Sequence, residues 1–239
     1  MIPYVVINGV NSKSIKGLLI SSLPPISKPK IRVNTEEIEG RDGDITTVRG
    51  YSAYDKEFTI GLYGEYNVDD VIKFFDTSGK VIFSNEPDKY YNFAVYDQID
   101  FEKLLRFKTA TVTMRVQPFK YSADEVTTNF TYPPGTTKAV LNVRNNGNIY
   151  SRPTLTVQGS GIINVYLGDT HIFRLSMPSY NDPIILNMQE MNAYSKDGKY
   201  LNRLVTGDYN KFKLPVGISD VVLNGSVAAA SIGAVSRWI

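Results

Sequence analysis

The sequence predicts a mainly β chain of two domains, the first carrying one helix and the second built of strands and turns throughout. Three observations predict it. Apolar and polar residues alternate along many short runs, as they do in strands with one buried face. Turn pairs such as Asp42-Gly43, Asn146-Gly147, Gly168-Asp169, Asp197-Gly198, Gly207-Asp208 and Asn224-Gly225 separate many of those runs. The length of 239 residues, set against a typical domain of about 150, fits one large domain or two modest ones.

In chain order, residues 21–44 show no clear periodicity. Pro24, Pro25 and Pro29 resist helix interiors and central strands, and the acidic set Glu36, Glu37, Glu39, Asp42 and Asp44 follows. An arm this long in a compact domain is usually functional or disordered, and reaching another chain is one such function. Residues 57–62 read as a strand with Phe58, Ile60 and Leu62 on one side. Residues 68–77 read as a helix: Val68, Val71, Ile72 and Phe75 recur at helical spacing, Asn67 caps the start, Asp69 and Asp70 suit the first turn, and Gly79 ends it. Residues 81–84 and 91–96 are further strands. Residues 99–107 fit either a helix or an alternating strand. The clearest strand is 109–116, with Ala110, Val112, Met114 and Val116 facing one way.

A break is expected within 122–138, a polar stretch closing with Pro133-Pro134-Gly135, which divides the chain into 1–130 and 131–239. Beyond it, runs at 138–143, 154–157, 163–167, 184–186, 212–214 and 221–223 read as strands, and Gly159-Ser160-Gly161 as a tight turn between two of them. Many short strands with frequent turns point to a sandwich.

Composition excludes several chemistries. A formal charge of +2 is far from the basic excess that nucleic-acid binding calls for, so no specific nucleic-acid partner is expected. With no cysteine there is no disulfide framework, thiolate metal site or cysteine nucleophile. No run approaches the roughly 20 apolar residues of a membrane span, and the amino terminus lacks the pattern of a signal peptide. A soluble chain made in a cytoplasm, with no membrane partner, is expected. The single histidine, His171, suits a structural role beside Asp169. No G-x-S-x-G elbow, phosphate loop or dinucleotide fingerprint occurs, and Thr46 and Val48 break the calcium-loop pattern after Asp42 and Asp44. No catalytic, cofactor-binding or metal residue is therefore assigned, and no cofactor is expected. The 16 tyrosines, clustered at 51/54, 63/66 and 90/91, suit core and interface use. Trp238 implies that the last residues dock onto a domain or a neighbouring subunit.

Several short motifs follow one another in a telling order. Ile7-Asn8-Gly9 is followed by the proline-bearing arm leading to Gly40-Arg41-Asp42-Gly43, then Phe58-Thr59-Ile60 and the helix near 68–75. Next come Thr111-Val112-Thr113-Met114 closing on Pro118-Phe119-Lys120-Tyr121, then Asn145-Asn146-Gly147-Asn148 before Ser151-Arg152-Pro153, and the terminal Arg237-Trp238. Their order and spacing, over most of the chain, resemble the distal tail protein family of long, non-contractile tailed phages and related tail-like particles of Gram-positive bacteria.

The resemblance implies an amino-terminal β-sandwich with one helix and a long arm, and a carboxy-terminal β-sandwich similar to galectins or carbohydrate-binding modules. It implies a structural virion protein and no enzyme: a homo-hexameric ring at the tail tip or baseplate. Such a hub joins the tail tube protein to the tail-associated tip protein and anchors receptor-binding proteins or their adaptors. On this reading the arm lies against an adjacent protomer, with Pro24, Pro25, Ile31, Val33, Arg41, Asp42 and Gly43 as contact candidates. Deleting residues 27–39 is expected to leave the domains folded and abolish the oligomer. The alternative is a carbohydrate-binding, lectin-like protein, suggested by the β-rich second half and its tyrosines; cell-wall glycan is a partner expectation of that domain. A glycan-cleaving enzyme ranks last.

Overall fold

A computed structural model describes residues 2–95, 97–124, 127–133, 135–178, 182–233 and 235–239. Tyr96 of the expected strand 91–96, Pro134 of the proline pair, and Glu125 and Val126 of the expected break lie outside the described residues. The chain divides into two compact units, one ending at Ala123 and one running Asp124–Trp238. The expected boundary at 130 falls inside the second unit, because residues 128–131 form a strand paired with the long strand near the chain's end.

In the first unit the strands are β1 (Val5–Ile7), β2 (Val10–Asn11), β3 (Leu18–Ile20), β4 (Ile31–Glu37), β5 (Asp44–Tyr51), β6 (Tyr54–Leu62), β7 (Ser78–Phe83), β8 (Lys89–Ala94) and β9 (Thr109–Ser122). The helices are α1 (Val68–Phe75) and α2 (Phe101–Phe107). Seven of these strands form an antiparallel curled sheet in the order β2-β1-β7-β8-β9-β6-β3. The β1–β2 connection is Asn8-Gly9, with φ of 48° and 85°, a left-handed pair that matches strand twist in a two-residue hairpin. Asn8 also ties the turn to β7: its Oδ1 accepts from the Lys80 N–H at 2.9 Å and its Nδ2 donates to the Ser78 carbonyl at 3.0 Å.

Helix α1 begins where expected, with Asn67 Oδ1 accepting from the Asp69 N–H at 3.0 Å. Its buried face is Val71, Phe74 and Phe75. The stop differs from expectation. Asp76 closes the helix, and Gly79 lies inside β7 at φ 139°, where a Cβ would meet the Asn8 side chain at 2.2 Å. Residues 101–107 are helical, giving the unit a second helix. Asp100 caps the start by accepting from the Lys103 N–H at 2.7 Å, Lys108 ends it in the left-handed region at φ 58°, and Leu104 is fully buried. Both helices place their apolar residues on a core that includes Val5, Phe58, Ile60, Phe83, Val112 and Met114.

The second unit contains β10 (Thr128–Thr131), β11 (Lys138–Asn145), β12 (Thr154–Leu167), β13 (Thr170–Ser176), β14 (Ile184–Asn187), β15 (Asn192–Tyr194), β16 (Val205–Gly207) and β17 (Gly217–Gly233). Strands β12 and β17 pair with each other along nearly their whole lengths. The early part of β17 pairs with β11 and the late part with β10; the early part of β12 pairs with β14 and the late part with β13. One pair of long strands thus serves two layers, a sandwich closed over Leu141, Val157, Val165, Phe173, Leu186, Leu223 and Ile232.

The bend between the layers falls at the glycines read from sequence as turns. The β12–β17 register shifts after Gln158 and again after Ser160. A Cβ on Gly159 would meet the Ser226 carbonyl oxygen at 2.2 Å, and one on Gly225 the Ile162 carbonyl oxygen at 2.4 Å. These residues let two backbones cross closely inside continuous strands, so 154–157 and 163–167 are one strand. Residues 212–214 form no such run. Phe212 and Leu214 are buried, and only Leu214 pairs, exchanging backbone hydrogen bonds with Ser151 at 2.8 and 3.0 Å.

Candidate assembly interface

The segment read as an aperiodic arm is a β-hairpin with an extended root. Strands β4 and β5 form a two-stranded sheet of their own, from Ile31 opposite Tyr51 to Glu37 opposite Asp44. The arm therefore runs to residue 51, and its strands extend roughly 20 Å. One face carries Ile31 with Tyr51, Val33 with Val48, Thr35 with Thr46 and Glu37 with Asp44. It grades from apolar near the root to acidic near the tip. The sequence shows only half of this: Ile31-Arg32-Val33-Asn34-Thr35-Glu36 alternates, whereas Asp44-Ile45-Thr46-Thr47-Val48 does not. Val33 is 50% exposed, Val48 64%, Ile38 48% and Ile45 36%. An isolated two-stranded hairpin is marginal in water at best, so its ordering calls for support from elsewhere.

The contact candidates are spread along the arm. Arg41, Asp42 and Gly43 are exposed at the tip, where Gly40 and Gly43 take φ of 82° and 75° and the Arg41 N–H donates to the Ile38 carbonyl at 3.1 Å. Ile31 and Val33 share the apolar end of one face. Pro24 is buried and Pro25 exposed, and both belong to the root, which is fastened to the parent sheet. Asn85 Nδ2 donates to the Pro24 carbonyl at 3.0 Å, Lys56 Nζ to the Pro25 carbonyl at 2.8 Å, and Tyr54 Oη to the Ser27 carbonyl at 3.4 Å. The Ser52 N–H donates to the Lys30 carbonyl at 2.9 Å on the returning side.

Lys56 is the residue that sequence reasoning missed. It is 3% exposed, and its ammonium lies 4.9 Å from the centre of the Tyr91 ring, 5.6 Å from Tyr54 and 5.7 Å from Phe83. Burial lowers its pKa to about 8, Glu86 opposing the shift and Lys120 adding to it. Glu86 accepts from Lys120 Nζ at 2.8 Å and from Tyr91 Oη at 2.8 Å. Burial, with Tyr54 and Glu86 nearby, raises the Tyr91 phenol well above the usual range. The signal was present: Lys56 occupies the same strand register as Phe58, Ile60 and Leu62, an inward position where a lysine needs a polar partner.

The tyrosines divide between uses. Tyr91 is core, Tyr54 and Tyr66 pack against it, Tyr51 meets Phe119 edge-on at 5.2 Å, and Tyr63 is exposed. His171 is exposed and meets the Tyr166 ring at 5.1 Å. Near the chain's end, Val235, Ser236 and Arg237 are buried. The Arg237 carbonyl accepts from the Asn148 N–H at 3.1 Å, and its guanidinium lies 4.6 Å over the Tyr150 ring. Gly147 leaves room for this crossing, since a Cβ there would meet the Arg237 carbonyl oxygen at 1.8 Å. Two distant motifs, Asn145–Asn148 and Arg237, thus form one contact. Among the described residues no group of histidine, aspartate and glutamate is arranged to hold a metal ion, and no helix is long and apolar enough to cross a membrane.

Residues 10–116 match the family model of the phage tail protein RIFT-related domain. No curated protein matches the sequence. Among solved structures, the SPP1 Dit (gp 19.1) protein, described as a paradigm of the hub adsorption apparatus in phages infecting Gram-positive bacteria, is similar over 100% of both chains, with a TM-score of 0.67 at 17% identity. A chain of the phage P2 baseplate in its activated conformation with Ca is similar over 100% of this chain and 99% of that one, with a TM-score of 0.52 at 11% identity. A chain of the same baseplate with Sr gives 0.50 at 12% identity over 97% of each. The two-domain β fold is shared along the whole chain.

Proposed function

We propose that this chain, with a first domain matching the phage tail protein family and the fold of the SPP1 Dit hub throughout, is a distal tail protein: a structural component of the virion at the tail tip or baseplate. It works as a hub and not as an enzyme. Copies close into a hexameric ring, each arm gripping the next copy. The ring joins the tail tube protein to the tail-associated tip protein and carries receptor-binding proteins or their adaptors at its edge.

One observation carries this reading. The β4–β5 hairpin leaves both faces exposed while its root is fastened by Asn85, Lys56 and Tyr54. A rigidly rooted hairpin with uncovered valines is suited to a partner outside its own domain. A head-to-tail contact of this kind closes into a ring when its rotation permits. The arm candidates Ile31, Val33, Arg41, Asp42 and Gly43 lie on the projecting part and belong to the grip; Pro24 and Pro25 set its direction. The test is the native mass of the purified full chain, expected at six times 26.7 kDa, with ring-shaped particles by electron microscopy. A chain that stays monomeric at every concentration refutes it.

A further inference from the structure

Resting on the ring reading above, we propose that the arm is received by a groove of the next copy lying between α1 and the residues that follow β2, and that the occupant is the Val33–Val48 face of the arm. A contact that closes a ring must find its complement elsewhere on the same chain. This groove, of about 470 Å³, is lined by Val10, Ile15 and Phe74 together with Lys16, Lys73 and Asp70. Val10 is 47% exposed, an apolar side chain facing water beside two lysines.

The arm offers the matching chemistry in two steps. Val33 and Val48 face each other near the root, and Glu37 and Asp44 face each other on the same side of the hairpin. The two pairs lie four positions apart along each strand, roughly 13 Å. Like charges directly opposite in a ladder destabilise an isolated hairpin. Seating the carboxylates against Lys16 and Lys73 relieves that repulsion while the valines cover Val10 and the partly exposed Ile15. Lys16 already meets Glu65 in an exposed pair, and exposed pairs are weak enough to exchange partners.

The chain has no cysteine, so Val33→Cys and Val10→Cys introduce thiols against a silent background, both at exposed positions. Full chains carrying one substitution each are mixed, assembled and treated with a short bis-maleimide. A covalent dimer is expected from the mixture, and a ladder of multimers from the double variant. Rings that form without cross-links, or links found only within single chains, overturn the groove assignment and leave the ring reading standing; failure of the wild-type chain to form rings overturns both. As a second readout, Glu37→Lys with Asp44→Lys is expected to weaken assembly about tenfold, and adding Lys16→Glu with Lys73→Glu to restore it. Without restoration, the charge pairing is wrong.

Discussion

Replacing Val33, Ile38, Ile45 and Val48 together by threonine tests the arm as the gripping element. Threonine keeps the β-branched shape that favours strands, so the hairpin is retained while its apolar surface is lost. These side chains are 50, 48, 36 and 64% exposed in the single chain. Fully burying a valine or isoleucine is worth about 1.5–3 kcal/mol, so covering the exposed half of each contributes about 1 kcal/mol. Ordering costs reduce what survives in an interface, leaving about 2–4 kcal/mol for each contact, or roughly 30- to 1000-fold in its affinity. The first domain's own stability should change by no more than about 0.5 kcal/mol, since none of the four belongs to its core. Sedimentation velocity across a concentration series measures the first quantity and urea unfolding the second. A variant that assembles at the same concentrations as the unaltered chain refutes the assignment, and one that unfolds the domain refutes the view that these residues are spare to its packing.

The other predictions concern what holds the arm and the second domain. Because burial lowers the Lys56 pKa from 10.5 to about 8, the folded state releases this proton first as pH rises. The unfolded state then binds more protons, so first-domain stability should climb by about 2 kcal/mol between pH 7.5 and 9.5. Amide exchange of the β6–β9 ladder measures this, and Lys56→Met should abolish the climb. Glu86→Gln leaves the buried Lys120 ammonium without its carboxylate partner and should cost about 3–5 kcal/mol in the same measurement. Gly147→Ala drives a methyl into the Arg237 backbone; a loss above about 3 kcal/mol in thermal unfolding of the second domain is expected, and a neutral result would contradict the crossing.

Alternation carried much of the β architecture, because one-sided burial writes itself into period-two sequence along β6, β9 and β11. Other features escaped for identifiable reasons. Gly159 and Gly225 look like turn residues, yet two long strands cross closely there; a single sequence does not distinguish a reversal from a close crossing. Helix α2 is set by a cap that apolar spacing does not reveal, Asp100 accepting from the Lys103 N–H. Gly79 looked like a helix stop, but its freedom is used by the Asn8 side chain. The arm was recognisable as a segment with no place in its own core, while its hairpin was hidden because its second strand lacks alternation and both strands are largely exposed. Its root was illegible because Lys56 and Asn85 meet Pro25 and Pro24 across 31 and 61 residues. Only the misplaced polarity of Lys56 within an inward stripe hinted at it.

The shared strands β12 and β17 have a mechanical consequence. A sandwich of two separate sheets splits along the plane between them when its faces are dragged apart. Here both layers are sewn by the same two threads, and prising them open means tearing the hydrogen-bonded seam between those threads as well as baring the oily filling. A module of this construction resists the peeling of one layer from the other.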